Sequence, residues 1–448
     1  MPKRNKMRFF SLKRSKKILN IATPSGLNSL LDVINISIDL LLIGKLGEAF
    51  VVAVGVSLNY MMLIFAITTI VFVGNSALVA RFIGFGDKKQ ASIVVSSLSF
   101  ASLLIAIPTT LLAFLFYDTF FTWIGISKEA KELGDIYLSI ILFSIPLLLI
   151  KQVSISAFSA AAYTKIPFII KIFITFLNVG LKYSFIFGFL FFPQLGLVGA
   201  ALSTLIVNFL ETLALFMCLL FLKKSPISIG NQINFDYIKR AFIVGLPSGC
   251  ERFFTLISIL LMTKFVALYG STDLAGYQIA TRIEGFAFMP GFGFMIAAMA
   301  LMGQNLGAKK PLEAKYSIQN TLLLGGFFMG IMGILMSSFA YPISSIFNKD
   351  SQIALASASY LIPLGLSQIP LAFIFILDGA LRGAGITKIT LITNAIMIWG
   401  LRVIPCYFIA KLQYPVIYIY ICISLETFLR AFVYWRIFRK CKWRHHKV

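Results

Sequence analysis

Long apolar stretches, each of about the length needed to cross a membrane, follow one another along the whole chain. Leu98–Phe116, Leu197–Leu222 and Ile389–Ile409 are three of them, and about 20 apolar residues are enough for a helix to span a bilayer. The pattern predicts an all-α membrane protein with about twelve transmembrane helices and no sheet. The expected spans are 21–43, 51–79, 92–116, 134–161, 167–190, 196–222, 243–267, 275–303, 316–340, 352–381, 389–409 and 415–436.

The second half of the chain repeats the first at a constant offset. Pro24-Ser25-Gly26 returns as Pro247-Ser248-Gly249, and Thr164-Lys165-Ile166 returns as Thr387-Lys388-Ile389, both with an offset of 223 in numbering. A register that is kept from one end of each half to the other indicates a duplication. Because each copy holds an even number of spans, we expect a parallel internal repeat with two pseudo-symmetric six-helix lobes and a substrate path between them. The expected division is a basic tail, an N-terminal lobe, a linker, a C-terminal lobe and a second basic tail, at 1–20, 21–222, 223–242, 243–436 and 437–448.

Most basic residues of the chain lie on one side of the predicted spans. Its 40 Lys and Arg against 17 Asp and Glu give a net charge of +23. Of those 40 basic residues, 27 fall in tails and loops on one side of the predicted spans and five on the other. The positive-inside rule therefore predicts a multi-pass protein of the plasma (inner) membrane with both termini in the cytoplasm, where the basic excess faces lipid headgroups. No basic stripe with interleaved aromatic residues indicates a nucleic-acid surface.

The residue types that carry most enzyme chemistry are scarce. The two histidines, His445 and His446, lie in the last residues of the chain, and the five cysteines form no CxxC pair. The sequence has no phosphate-binding loop, nucleophile elbow or zinc pattern. We therefore expect neither an enzyme nor a bound cofactor or metal, and we expect a monomer.

Two predicted spans carry polar stripes at helical spacing. The stripe in the first span consists of Asn28, Asp32, Asn35 and Asp39. The stripe in the fifth consists of Lys171, Thr175, Asn178 and Lys182. A polar stripe on a membrane helix turns away from lipid, so these two could face each other, and Thr204, Asn208 and Glu211 add a third polar face in span six. Two interpretations remain open: an ion-pair network that holds helices together, or a site where Asp39 exchanges a proton or cation against substrate.

The second half does not repeat these stripes, because Asp39 corresponds to Met262 and Asp32 to Thr255. Its polar residues are instead Glu251, Arg252, Thr255, Gln278, Arg282 and Glu284. Glu251 and Thr255 share one face of span seven, and Gln278 and Arg282 share one face of span eight. Neutralisation of Arg282 by Glu251 is the structural alternative to a functional role. We expect ion coupling to be stronger in the first lobe.

Several short motifs, taken in order and spacing, resemble the multidrug and toxic compound extrusion (MATE) family of transporters. They are Asp39–Gly47, Leu78–Ala91, Gly245–Pro247, Ala275–Ala280, Gly303–Ala308 and Asp378–Gly385. The resemblance covers nearly the whole chain. It implies antiport of organic cations or other amphipathic toxic compounds against H⁺ or Na⁺, by two six-helix lobes that alternate between inward-open and outward-open states.

Within that family the chain is more similar to the DinF-like than to the NorM-like branch. The acids of the NorM-like cation site correspond here to Thr255 and Leu371. The resemblance to the DinF-like branch implies ion coupling through Asp39, Asn178, Thr204 and the position that Lys182 occupies. The branch usually has an acid at that last position. A lysine offers no oxygen ligand for a hard cation, which favours protons over Na⁺.

The expected substrate path contains ten residues. They are Asn28, Asp32, Asn35, Lys171, Thr175, Asn208, Glu251, Thr255, Gln278 and Arg282. The alternative function is a flippase for a lipid-linked saccharide or another amphiphilic lipid, since such proteins have a related architecture.

Overall fold

The computed structural model of the protein describes residues 11–189, 192–221, 227–230, 232–440 and 442–445, and in these ranges it is helical without a β-strand. Parts of both expected basic tails and of the expected linker lie outside the described residues. The helices are α1 (Leu12–Gly44), α2 (Glu48–Phe85), α3 (Lys88–Ile124), α4 (Lys128–Leu142), α5 (Ile145–Ala160), α6 (Lys165–Phe187), α7 (Gly196–Phe221), α8 (Phe235–Ala267), α9 (Ser271–Gly307), α10 (Pro311–Ser338), α11 (Ala340–Phe347), α12 (Ser351–Leu366), α13 (Gln368–Gly383), α14 (Thr387–Ala395), α15 (Ile404–Lys411) and α16 (Ile417–Arg439). A π-helical segment, Ile396–Val403, joins α14 to α15, and a short 3₁₀ turn, Lys442–His445, follows α16.

The helices confirm the expected all-α membrane architecture. In the described part of the chain, nine helical stretches are long and apolar enough to cross a membrane. Two more spans are bent pairs, α4 with α5 at 48° and α12 with α13 at 57°. The 33-residue α8, which carries Glu251 and Arg252 near its middle, lies at the place of the expected seventh span but is not among these apolar helices. The order of these spans agrees with the sequence prediction, although most helices extend a few residues beyond the expected ends.

The duplication is visible in the breaks of the bent helices. Ser144 interrupts one bent pair and Ser367 the other, and the two serines are related by the repeat offset. Each serine hydroxyl donates a hydrogen bond to the carbonyl three residues earlier, at 2.6 Å to Ile141 and 2.9 Å to Leu364. The backbone N–H of each serine donates to the same carbonyl, at 2.8 Å to Ile141 and 3.1 Å to Leu364, so each serine closes the preceding helix with two hydrogen bonds. The same span is therefore interrupted in both copies, at a serine with the same hydrogen bonds.

Three pairs of left-handed backbone positions keep the same offset. The φ angles are 138° and 113° at Gly47 and Gly270, and 84° and 55° at Gly86 and Lys309. Ala162 and Gly385 form the third pair, at 66° and 82°. The repeated turns thus share their backbone conformation even where only one copy has glycine, the residue best suited to positive φ.

The π-helical segment is specific to the second copy. Its equivalent in the first copy, residues 173–180, lies inside the regular helix α6. Short π-helical insertions are rare and occur frequently at functional sites. The fifth and eleventh spans therefore differ in backbone conformation although they occupy equivalent places in the repeat.

The chain divides into two compact units, and both boundaries fall inside helices. The first unit is Asn28–Gly249, and the second contains Cys250–Val448 together with the chain up to Leu27. Compared with the lobes expected from the sequence, residues 21–27 join the second unit and residues 243–249 join the first. The exchanged segments are the N-terminal portions of α1 and α8.

Each exchanged segment packs through a glycine contact that the offset relates. In the first unit, a Cβ on Gly245 would lie 2.1 Å from the carbonyl oxygen of Ile70. In the second unit, a Cβ on Gly293 would lie 2.2 Å from that of Ala22. Position 22 corresponds to 245 and position 70 to 293, so the duplicate contact puts its glycine on the opposite helix. Small residues allow helix backbones to approach closely inside a membrane.

Candidate functional site

The polar stripes of α1 and α6 face each other in the first unit, as the sequence predicted. Asp32 Oδ1 lies 2.7 Å from Lys171 Nζ. One turn further on, the Asn35 amide donates to Thr175 Oγ1 at 3.1 Å. The contacts advance in the same direction along both helices, because the two stripes have the same i, i+4, i+7, i+11 spacing.

The next contact along the stripes is the most deeply buried. Lys182 is 0% exposed and forms an ion pair with Asp39, which is 9% exposed. Lys182 has no second carboxylate within ion-pair distance among the described residues. Asn178, one turn before Lys182, is also buried, and its Oδ1 atom has no hydrogen-bond partner in the described part of the chain. An unsatisfied buried acceptor of this kind needs a functional or solvent partner.

The third predicted polar face, on α7, belongs to the same unit as the Asp39–Lys182 pair. The buried Tyr137 on α4 lies within electrostatic range of Asp39. The Thr204 hydroxyl on α7 donates to the backbone carbonyl of Ala200 at 3.0 Å. The structure therefore places Asp39, Asn178, Lys182 and Thr204 in one lobe, and it adds Tyr137, which the sequence did not single out.

A second charge cluster lies beside Lys171. Glu211 is 3.3 Å from Lys171 and 3.0 Å from Lys151, and Lys151 also donates to Asn208 Oδ1 at 2.8 Å. Lys151 was not among the predicted site residues, because its own helix carries no polar stripe around it. Each of the three acids in these two clusters has at least one lysine partner; the acids are Asp32, Asp39 and Glu211.

In the second unit, the suggested neutralisation of Arg282 by Glu251 is wrong. Glu251 Oε1 instead accepts from Arg382 at 2.8 Å and from the Asn394 amide at 2.6 Å. Arg382 also binds Asp378 at 2.7 Å. Arg382 is distant from Glu251 in sequence, so nothing in the local pattern of span seven indicated it.

Through Arg430, which donates to Asn394 Oδ1 at 3.5 Å, this network reaches Glu426, an acid with two arginine partners. Glu426 lies 3.0 Å from Arg430 and accepts from Arg402 Nε at 3.1 Å, and Arg402 belongs to the π-helical segment. The Tyr434 hydroxyl donates to Asp378 at 3.2 Å. The i, i+4 spacing of Glu426 with Arg430, and of Asp378 with Arg382, was the available sequence signal for these pairs.

The remaining predicted residues of the second unit take no part in that network. The Thr255 hydroxyl donates to the backbone carbonyl of Glu251 at 2.8 Å. Gln278 and Arg282 are exposed, and in the described ranges neither bonds to Glu251. Asn28 is half-buried on α1 in the first unit. These four residues carry no geometric evidence for a common site.

The chemistry of the first unit is compatible with a proton site. No group of three or more His, Cys, Asp or Glu that could hold a metal ion occurs among the described residues. A carboxylate buried beside an ammonium group can gain and lose a proton as its surroundings change. Ionisable groups inside a membrane are rare and mark ion and substrate pathways.

A protein-family model described as MatE matches the chain twice, over residues 24–184 and 247–408. The starts of the two matches, at residues 24 and 247, are related by the offset of the internal repeat.

Two relatives show similarity over most of the chain. A protein named "Probable multidrug resistance protein NorM" from Thermotoga maritima is 26% identical over 445 residues, which cover 97% of this chain and 94% of the relative. A protein named "FAD transporter" from Shewanella oneidensis is 24% identical over 370 residues, or 82% of this chain and 81% of the relative.

Solved structures share the fold over nearly the full length. A MATE transporter from Vibrio cholerae superposes with a TM-score of 0.90 at 17% identity, covering 97% of this chain and 99% of that chain. A MOP superfamily transporter from Pyrococcus furiosus superposes with a TM-score of 0.89 at 20% identity, covering 97% of both chains.

Proposed function

The chain belongs to the MatE family of membrane transporters, and from that premise we propose that it exports amphipathic organic cations in exchange for protons that bind at Asp39. Membership of the family makes it a multi-pass efflux transporter and not an enzyme. The coupling ion, the substrate class and the roles of individual residues are the parts that we propose.

The observation that carries this proposal is the isolated Asp39–Lys182 pair. The other ion pairs of the two stripes share their partners, since Glu211 contacts two lysines and Lys171 two acids. Lys182 has Asp39 alone among the described residues, and both side chains are buried. Protonation of Asp39 would leave the Lys182 ammonium without a counter-ion, which is costly in a membrane interior. The stability of this pair therefore changes strongly when Asp39 gains or loses a single proton.

The proposed cycle uses that sensitivity. Asp39 takes a proton from the outer side as the substrate leaves, and it releases the proton to the cytoplasm after the lobes have changed access. We propose that both termini lie in the cytoplasm. We also propose that the transporter acts as a monomer. In this proposal the stripe residues Asp32, Asn35, Lys171 and Thr175, together with Asn208, line the part of the substrate path that belongs to the first unit.

The donor set at Asp39 supports protons over Na⁺. A hard cation such as Na⁺ needs several oxygen ligands, by analogy with the oxygen-rich sites of Ca²⁺ and Mg²⁺. Here Lys182 fills the side of Asp39 that such a cation would approach. Its ammonium donates only and cannot act as a ligand.

The test is ethidium efflux from proteoliposomes that contain the purified transporter, under an imposed pH gradient or an imposed Na⁺ gradient. We expect the pH gradient to drive efflux in the wild type and Asp39→Asn to reduce its rate at least tenfold, on the order of 1.4 kcal/mol or more. Glu313→Gln is the matched control. Glu313 pairs with Arg14 at 3.0 Å, is half-buried and lies outside both polar stripes, so its variant should transport normally.

Other results would redirect the proposal in distinct ways. Efflux driven by Na⁺ and lost in Asp39→Asn would replace the proton with sodium. FAD is assayed in parallel because one relative carries the name of an FAD transporter. Movement of FAD but not ethidium under the pH gradient would keep the coupling and change the substrate class. Failure of both substrates under both gradients would favour the lipid flippase.

A further inference from the structure

One acid of the second unit, Glu284, has no ion-pair partner in the part of the chain that the structure describes, unlike the acids of the network around Arg382. The network around Arg382 contains three acids, Glu251, Asp378 and Glu426, and three arginines, so its charges cancel. Glu284 on α9 is half-buried and has no cation within ion-pair distance among the described residues. Its one hydrogen-bond partner there is the Tyr360 hydroxyl on α12, which lies 2.8 Å from Glu284 Oε2.

Tyr360, the partner of Glu284, belongs to a cluster of three tyrosines. The ring centroids of Tyr277 and Tyr360 are 5.3 Å apart, and those of Tyr360 and Tyr420 are 5.1 Å apart. All three tyrosines are buried. Tyr277 and Arg402 are the other titratable groups within electrostatic range of Glu284, and neither forms a hydrogen bond or ion pair with it in the described part of the chain. Arg402 pairs with Glu426, which it shares with Arg430, and it forms no ion pair with Glu284 in the described part of the chain.

Tyr360 is the repeat partner of Tyr137 by the same offset. Tyr137 lies within electrostatic range of Asp39 in the first unit, and Tyr360 donates a hydrogen bond to Glu284 in the second. The two acids come from non-equivalent helices, α1 and α9, and correspond by the offset to Met262 and Met61. An alignment of the two halves therefore pairs the two tyrosines with each other but pairs each carboxylate with a methionine.

We propose that Glu284 is a second proton-binding site, in which the carboxyl group is held by Tyr360 and takes up and releases a proton during the transport cycle. This inference rests on the proposed function of proton-coupled export. An ionised carboxylate without a cation is costly in a low-dielectric interior, and binding a proton removes that cost. One carboxylate and one phenol hydroxyl are too few oxygen ligands for a metal cation.

The test reads protonation directly and needs no substrate. Infrared difference spectra of the purified full-length transporter in nanodiscs are recorded between about pH 5.5 and about pH 8.5, above the ordinary titration range of exposed carboxyl groups. We expect a C=O stretch of a protonated carboxyl group in the wild type that Glu284→Gln removes and Asp39→Asn keeps. Tyr360→Phe should move this band to higher frequency, because the carboxyl group loses a hydrogen bond. Glu313→Gln should leave the spectrum unchanged.

Three outcomes would overturn the proposal. They are identical spectra for the wild type and Glu284→Gln, loss of every carboxyl band in Asp39→Asn, and removal of the band by NaCl at constant pH, which would assign a cation. If Glu284→Gln does not fold, an unmoved band in Tyr360→Phe also overturns it. Failure of ethidium efflux refutes the proposed substrate class without deciding the protonation of Glu284, so the two failures can be told apart.

Discussion

At the scale of single residues, the lobes neutralise their buried charges in two ways. In one, acids and bases share partners, as Lys171 does between Asp32 and Glu211. In the other, one acid and one base have only each other in the described part of the chain, as Asp39 and Lys182 do. Loss of a partner is compensated in the first arrangement and uncompensated in the second.

This contrast predicts different costs for two lysine substitutions. Lys182→Met leaves Asp39 buried without a cation and should lower the free energy of unfolding by about 3–5 kcal/mol. Lys171→Met should cost less, because Glu211 keeps Lys151 and the Asp32 side chain is 53% exposed. Thermal unfolding of the purified variants in one detergent measures both.

The double variant Asp39→Asn with Lys182→Met provides the control for that comparison. It removes both charges of the pair, so most of the stability lost in Lys182→Met should return. Equal costs for Lys182→Met and Lys171→Met would contradict this account of the two arrangements.

Sequence reasoning reached the site residues only where periodicity places them. The stripes Asn28–Asp39 and Lys171–Lys182 could be read from helical spacing, and their mutual contact followed from the need to avoid lipid. The contacts of Lys151 with Glu211 and of Arg382 with Glu251 could not be predicted in this way. Each joins helices that are distant in sequence, and a single sequence gives no information on which distant helices meet.

At the scale of helices, apolar length was sufficient to predict twelve spans. The bends at Ser144 and Ser367 were not predicted, because a serine inside an apolar run is compatible with an unbroken helix. The π-helical segment Ile396–Val403 also has no local signal. Its conformation is a property of packing in the second unit, where its Arg402 binds Glu426.

Close approach of α8 to α2 predicts an intolerance of side chains at Gly245. A Cβ there would be 2.1 Å from a backbone oxygen, which cannot move as a flexible side chain can. Gly245→Val should therefore destabilise the protein by about 1–3 kcal/mol or more. The matched control is Gly55→Ala in α2, where a Cβ would meet nothing within 4 Å. That substitution should be neutral or stabilising, because alanine is the better helix former. Similar melting temperatures for both variants would refute the packing argument.

At the scale of the whole molecule, the compact units do not coincide with the duplicated halves. The first unit ends at Gly249, beyond the join between the repeats, and the second includes the start of α1. Each half of the sequence thus supplies one helical segment to the unit formed mainly by the other half.

This exchange predicts that the two halves fold only together. Residues 1–226 expressed alone lack the segment around Gly245 that packs on Ile70, and residues 227–448 lack the segment around Ala22. We expect each half alone to be degraded or aggregated. Co-expression should yield a stable complex that co-purifies through a tag on one half. A soluble, monodisperse half in detergent would show that the exchanged segments are dispensable.

The three pairs of left-handed turns have a consequence for the history and redesign of this chain. At Gly86 and Lys309, and at Ala162 and Gly385, one copy keeps the residue that suits the turn while the other has drifted to one that strains it. A non-glycine residue in that conformation costs roughly 1–2 kcal/mol. The backbone geometry has therefore been inherited more faithfully than the amino acids that favour it. Each half consequently indicates a stabilising substitution in the other: glycine at Lys309, as at Gly86, and glycine at Ala162, as at Gly385.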